Sequence, residues 1–174
     1  MKSTCLRLIL FTTILFAVAC EKKEPQTNPG APSTPAAPPA RTADPNLPEV
    51  KVEMTGNDQM KFNVEKIEAK PNQKVSVTLK NVGSMPKVSM GHNFVIITRD
   101  QDPQKFMEAS AVHMGAEFIA PELKNKVIAN TKLLGPGESD TVTFVAPSEP
   151  GDYVYLCSFP GHYTIGMKGI LTVK

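Results

Sequence analysis

Asp152-Tyr-Val-Tyr-Leu156 runs without a break into Cys157-Ser-Phe-Pro-Gly-His162-Tyr-Thr-Ile-Gly-Met167. The first five residues alternate as a half-buried strand does. Cys157 closes that strand, and the Pro160-Gly161 pair marks a turn after it. Within eleven residues the segment carries a thiolate, an imidazole and a thioether. A second imidazole, His92, stands 65 positions upstream, directly before the apolar run Asn93-Phe-Val-Ile-Ile-Thr98. Each group alone has a plainer reading: a buried inert thiol, a polar loop histidine, a core methionine. Together, two nitrogens, one thiolate and one weak thioether make the ligand set that suits copper in an electron-transfer site. Gly91, just before His92, leaves the backbone free to approach a metal closely.

Working outward, short strand patterns recur on both sides. Val50-Lys-Val-Glu-Met54 and Lys74-Val-Ser-Val-Thr-Leu-Lys80 alternate apolar and polar, while Asn93–Thr98 is apolar enough to be buried on both faces. Ser139-Asp-Thr-Val-Thr-Phe-Val145 and Lys168-Gly-Ile-Leu-Thr-Val-Lys174 continue the pattern. Turn signals separate them at Thr55–Asp58, Lys70–Asn72, Gly135–Gly137 and Glu149–Asp152. Seven or eight such strands predict an all-β, antiparallel sandwich of Greek-key type. One stretch departs from the pattern. Asp102 to about Ala120 spaces its apolar residues as a helix does, with Pro103 in the first turn, and predicts a short helical insertion. The third histidine, His113, falls in that helix and is expected to be solvent-exposed.

The N-terminal third reads differently. Lys2 and Arg7 precede the apolar stretch Leu8–Phe16, which is signal-peptide length and too short for a membrane span. Ala17-Val18-Ala19-Cys20 resembles a bacterial lipobox, so residues 1–19 are expected to be removed and Cys20 lipidated, palmitate included. The alternative is an ordinary signal peptide cleaved nearby, leaving a free thiol. Residues 20–48, with proline at 25, 29, 32, 35, 38, 39, 45 and 48, bury too little to offset ordering entropy and read as a disordered tether. Glu21, rather than Asp, after the cysteine tilts the anchor toward the outer membrane over the inner. With Cys5 removed and Cys20 modified, Cys157 has no disulfide partner. Residues 49–174 form one domain. The mature chain is formally near neutral once Lys2 and Arg7 leave, and no basic patch argues for nucleic acid.

Over essentially all of 50–174 the chain resembles the azurin family of blue-copper cupredoxins. The segments that carry the resemblance are Thr55–Asn63, Met85-Pro-Lys-Val-Ser-Met-Gly-His-Asn93, Val127-Ile-Ala-Asn-Thr-Lys-Leu-Leu-Gly135 and Cys157-Ser-Phe-Pro-Gly-His162. The resemblance implies a cupredoxin-like sandwich holding one copper ion. His92, Cys157 and His162 would be the ligands, Met167 the axial one, and the Gly91 carbonyl a weak opposite contact. It places Asn93 and Phe159 around the ligands, Asn93 pinning the two copper loops and tuning the thiolate by hydrogen bonding. Four departures stand out. Four residues, not three, separate His162 from Met167, the count found in plastocyanin and pseudoazurin. Val50 and Asn72 stand where azurins carry a disulfide, a bridge typically worth about 2–5 kcal/mol. Phe94 replaces a buried tryptophan. Asn81 replaces a pH-linked histidine, which predicts little pH switching from that position.

The expected role is a type 1 copper protein shuttling single electrons in the bacterial envelope. Met85, Val88, Met90, Phe159, Pro160 and Tyr163 would surround an exposed edge of His162 as an apolar docking surface, since brief redox encounters use small interfaces. Cytochromes c are the expected donor or acceptor, with nitrite reductase, cytochrome c peroxidase or a terminal oxidase downstream by family analogy, and the protein acting as a monomer. Three histidines in all are too few for a multicopper enzyme, and the ligand loop lacks the second cysteine of a binuclear centre. A lipoprotein for copper storage or delivery is the alternative.

Overall fold

The computed structural model describes residues 41–174. The readings placed on residues 1–40, namely the signal segment, Cys20 and most of the proline-rich stretch, lie outside the described residues. Within the remainder of that stretch, the Asp44 amide donates to the Asn72 carbonyl at 2.9 Å. The Pro48 carbonyl accepts from Gln73 Nε2 at 2.6 Å. Residues 44–48 are therefore tied to the domain.

The strands are β1 (Val50–Asn57), β2 (Lys61–Phe62), β3 (Lys66–Ala69), β4 (Lys74–Asn81), β5 (Val95–Ile97), β6 (Val127–Asn130), β7 (Ser139–Val145), β8 (Gly151–Leu156) and β9 (Lys168–Val173). They form a four-stranded sheet in the order β2-β1-β4-β7 and a five-stranded sheet in the order β3-β9-β8-β5-β6. In β4, Val75, Val77 and Leu79 are fully buried while their neighbours face outward, the period-two pattern of a sheet with one wet face. On that outer face Ser76 pairs with Thr143 and Thr78 with Thr141 through hydroxyl hydrogen bonds of 2.6 and 3.0 Å.

The expected sandwich is present, with mixed pairing. β1–β4 and β3–β9 run parallel, and the other pairs are antiparallel. Parallel neighbours need a long connection, and the chain supplies one between β1 and β4 by passing through β2 and then β3, which belongs to the other sheet.

Two clusters of apolar side chains flank β5. Phe94 and Ile96 point into the main core between the sheets, with Met54, Leu79, Tyr155 and Leu171. Val95 and Ile97 point the other way, against Phe106, Met107, Ile119 and Leu156. This is why the run Asn93–Thr98 does not alternate. Burying each such side chain stabilises by roughly 1.5–3 kcal/mol. Phe94, standing where the family resemblance implies a tryptophan, is fully buried 5.2 Å from the Tyr155 ring centroid.

The second cluster is covered by the predicted insertion. Its helix, Pro103–Ser110, starts where Asp102 accepts a 2.9 Å bond from the Lys105 amide. The helix ends ten residues short of the expected Ala120. Two 3-10 turns, Met114–Ala116 and Pro121–Lys126, follow, and Glu117 and Phe118 take left-handed backbone angles that no helix can continue through. His113 thus caps the first 3-10 turn and is half-buried, not exposed on a helix. Two single helical turns, Lys87–Met90 and His162–Ile165, complete the elements.

Candidate metal centre

At one end of the sandwich His92, Cys157 and His162 converge. Their ligand atoms all lie within 4.8 Å of one another and all three residues are buried. The His92 and His162 Nδ1 atoms are 3.3 Å apart, and Cys157 Sγ is 3.4 Å from His162 Nδ1. A first-row metal binds nitrogen at about 2.0 Å and thiolate at about 2.3 Å, so ligands in a trigonal plane would be spaced roughly 3.5 and 3.7 Å. The residues fit a metal of that coordination. Gly91 presents its carbonyl oxygen 3.9 Å from the thiol sulfur.

Three elements deliver these groups. His92 forms a two-way backbone bridge with Leu134, with bonds of 3.1 and 2.7 Å. Cys157 follows the last residue of β8. His162 opens the helical turn that ends at Gly166, whose φ of 104° only glycine takes without strain. The Met167 amide donates to the His162 carbonyl at 2.9 Å, and the Cys157 amide to the Met167 carbonyl at 3.0 Å. The four-residue spacer is thus one closed helical turn, and Met167 returns fully buried into the same core cluster as Cys157. Gly91 has a steric reason to be glycine: a Cβ there would lie 2.7 Å from the Lys87 carbonyl oxygen.

Asn93 lies where the two loops meet. Its Oδ1 accepts from the Ser158 amide at 2.8 Å, and its Nδ2 donates to Ser158 Oγ at 2.8 Å and the Glu117 carbonyl at 2.9 Å. The Phe159 ring lies 4.6 Å from the His162 ring. The sequence reading missed Gly56, Ser158, Glu117 and Phe118. A Cβ on Gly56 would sit 2.8 Å from Met167 Cε and 3.1 Å from His92 Cδ2, so both groups pack onto that bare backbone. Only the Thr55-Gly56 turn signal pointed there. Asn81 is buried, donating to the Leu134 carbonyl and accepting from the Gly83 amide, so a non-titrating amide fills this position.

Burial governs the metal-free electrostatics. It pushes the Cys157 thiol up to about 12, against the Asn93 and Phe159 backbone, which favour the thiolate. It pushes His162 down to about 4, helped by the charge of His92. His92 is lowered by burial as well; the Asn57 backbone and Asp58 oppose this without prevailing. The Asn57 backbone forms no well-aligned bond to the ring, and Nε2 of His92 is buried without a partner. Of these groups only His92 Nε2 lacks a partner, and two neutral imidazoles beside a thiol are donors that can take a cation.

Around the centre, Met85, Val88 and Pro160 are exposed, Val88 to 74 %, while Met90, Phe159 and Tyr163 are half-buried. His162 is only 2 % exposed, so the expected open edge is nearly closed. Phe159 packs against the ring, and Ile165, three residues on from His162, is exposed.

Comparison with known proteins gives consistent likenesses. The family model described as copper binding proteins, plastocyanin/azurin family, matches residues 48–174. Azurin from Pseudomonas aeruginosa is 40 % identical over 129 residues, 72 % of this chain and 86 % of that protein. Azurin-2 from Alcaligenes xylosoxydans xylosoxydans is 45 % identical over 121 residues, covering 66 % of this chain and 90 % of that protein. Among solved structures, reduced auracyanin from Roseiflexus castenholzii superposes with a TM-score of 0.62 at 35 % identity, covering 72 % and 97 % of the two chains. Azurin Az-iso2 from Methylomonas sp. strain J gives 0.64 at 29 % identity, covering 72 % and 98 %.

Proposed function

Since the chain belongs to the plastocyanin/azurin family of copper-binding proteins, we propose that it shuttles single electrons between redox partners of the bacterial envelope. It is a blue-copper electron carrier and not an enzyme. The copper would be held by His92, Cys157 and His162, with the Met167 thioether and the Gly91 carbonyl as weaker donors. The observation that carries this assignment is the convergence of two Nδ1 atoms and one Sγ, all buried, with edges of 3.3 and 3.4 Å.

Bound copper supplies a one-electron couple. The protein's part is to hold one ligand geometry for both oxidation states. The Asn93 bonds to Ser158, the Leu134 bridge to His92 and the closed turn 162–165 each restrict a ligand before metal arrives. Burial keeps water from the thiolate. Met85, Val88 and Pro160 offer an exposed apolar face with half-buried Met90, Phe159 and Tyr163 beside it, suited to a small, short-lived interface with a cytochrome c. Nitrite reductase, cytochrome c peroxidase or a terminal oxidase would lie downstream. Lipidation at Cys20 and the stretch that leads from it to residue 43 would tether the domain, acting as a monomer, to a membrane; the sequence pattern supports this part.

The test is the visible and paramagnetic-resonance spectrum of the whole chain with one equivalent of Cu(II). An intense blue band with narrow copper hyperfine splitting, bleached reversibly by ascorbate, is expected. A pale, ordinary cupric spectrum with copper lost to a mild chelator would instead indicate copper storage or delivery. Radiolabelled palmitate should enter the protein in bacteria and fail to enter Cys20→Ala.

A further inference from the structure

Glu117 and Phe118 are consecutive non-glycine residues with φ of 58° and 55°. Such angles cost of order 1–3 kcal/mol each and persist only where the surroundings enforce them, commonly beside a functional site. For a bulky residue such as Phe118 this is a genuine outlier. The corner closes the 3-10 turn Met114–Ala116, with the Glu117 amide donating to the Met114 carbonyl at 3.2 Å and the Phe118 amide to the His113 carbonyl at 2.9 Å, but its other contacts reach beyond that turn.

Its contacts lead to both ligand loops. The Glu117 carbonyl accepts from Asn93 Nδ2 at 2.9 Å and from Ser158 Oγ at 3.0 Å. Asn93 follows His92, and Ser158 follows Cys157, so one carbonyl oxygen ties together the residues next to two ligands. The Glu117 carboxylate also accepts from the Leu133 amide, adjacent to the Leu134 bridge to His92. One residue on, the buried Phe118 ring meets Phe159 edge-on at 5.1 Å, and Phe159 lies 4.6 Å from the His162 ring. The third ligand is thus wedged from the same corner.

We propose that the Glu117–Phe118 corner is a positioning device. It fixes His92, Cys157 and His162 in the metal-binding arrangement before any metal is present. The left-handed pair is what turns the carbonyl toward Asn93 and Ser158 and the next side chain toward Phe159. The insertion after β5 therefore does more than cover it; it preorganises the centre. This rests on the ligand assignment above, and the test is arranged so that each can fail separately.

The first measurement is amide hydrogen exchange in the copper-free, full-length protein. The Ser158 amide should be protected to the level of the β8 amides in the unmutated chain. In Phe118→Ala it should exchange about tenfold faster relative to those amides, the factor for losing roughly one net hydrogen bond. The His162 ring resonances should broaden in the same variant, and Phe118→Leu, which keeps the wedge, should restore both. Met107→Ala, in the same insertion but outside the hydrogen bonds and ring contacts that join the corner to Asn93, Ser158 and Phe159, should lower stability without either change. With Cu(II) bound, Phe118→Ala should widen the copper hyperfine splitting. Equal effects of Phe118→Ala and Met107→Ala would overturn the proposal, as would a Ser158 amide exchanging like an exposed loop in the unmutated protein. Failure of the unmutated protein to give a blue spectrum would sink the ligand assignment alone, since the exchange results need no metal.

Discussion

Cys157 can act as an inert core thiol or as a metal ligand, and its surroundings separate the two roles. A fully buried thiol pushed up to about 12 is a small hydrophobe until a metal displaces its proton. Cys157→Ser is isosteric enough to leave the sandwich folded, so its circular dichroism should be unchanged while the intense blue band disappears. Persistence of that band in a folded variant would remove Cys157 from the ligand set. Met167→Gln exchanges a weak thioether for a harder oxygen donor; copper should stay bound and voltammetry should show a lower reduction potential. Gly56 makes a steric prediction. Alanine there forces its Cβ into Met167 Cε and the His92 ring, costing about 1–3 kcal/mol by overpacking. Chemical denaturation should show that loss together with a changed copper spectrum, because the atoms displaced belong to the centre.

Elements differ in how openly their patterns announce them. β4 and β7 alternate cleanly because one face of each is wet, and the sequence places them within a residue or two, as it does β8, although Val154 and Leu156 on the second face of β8 pack under the insertion. β5 was legible as a strand buried on both faces, and the second cluster explains that burial. β2, β3 and β6 are two to four residues long, too short for a period to be read. The insertion was legible at its start, where Asp102 and Pro103 form a cap, and illegible at its end. The helix gives way after Ser110 at Ala111, where no glycine or asparagine marks a stop, so local propensity does not record its end. Asp102→Ala should therefore cost about 1 kcal/mol by denaturation, through lost capping. It should leave the copper spectrum intact, because the helix start is held separately from the corner that touches the ligand loops.

At the scale of the whole molecule, proton linkage follows from the buried centre. His162 falls to about 4 in the metal-free fold against an ordinary 6.5. The unfolded chain therefore takes up this proton first as pH falls. The stability associated with neutral His162 is complete above pH 6.5 and is lost progressively as pH falls from 6.5 to 4. Thermal unfolding of the copper-free protein should show that decline. At pH 7 both imidazoles are already neutral and only the thiol is protonated, so binding Cu(II) should release about one proton, readable by calorimetry in buffers of different ionisation enthalpy. By itself the sequence determined the strand-rich sandwich, the start of the insertion and the three residues, His92, Cys157 and His162, that the fold brings together, because alternation, capping and donor chemistry are written in neighbouring residues. Tertiary structure alone decided the parallel pairing of β1 with β4, the closure over His162, and the roles of Gly56, Ser158, Glu117 and Phe118. Those depend on contacts between residues far apart in the chain, where steric fit and hydrogen-bond direction exist only once the loops have been brought together.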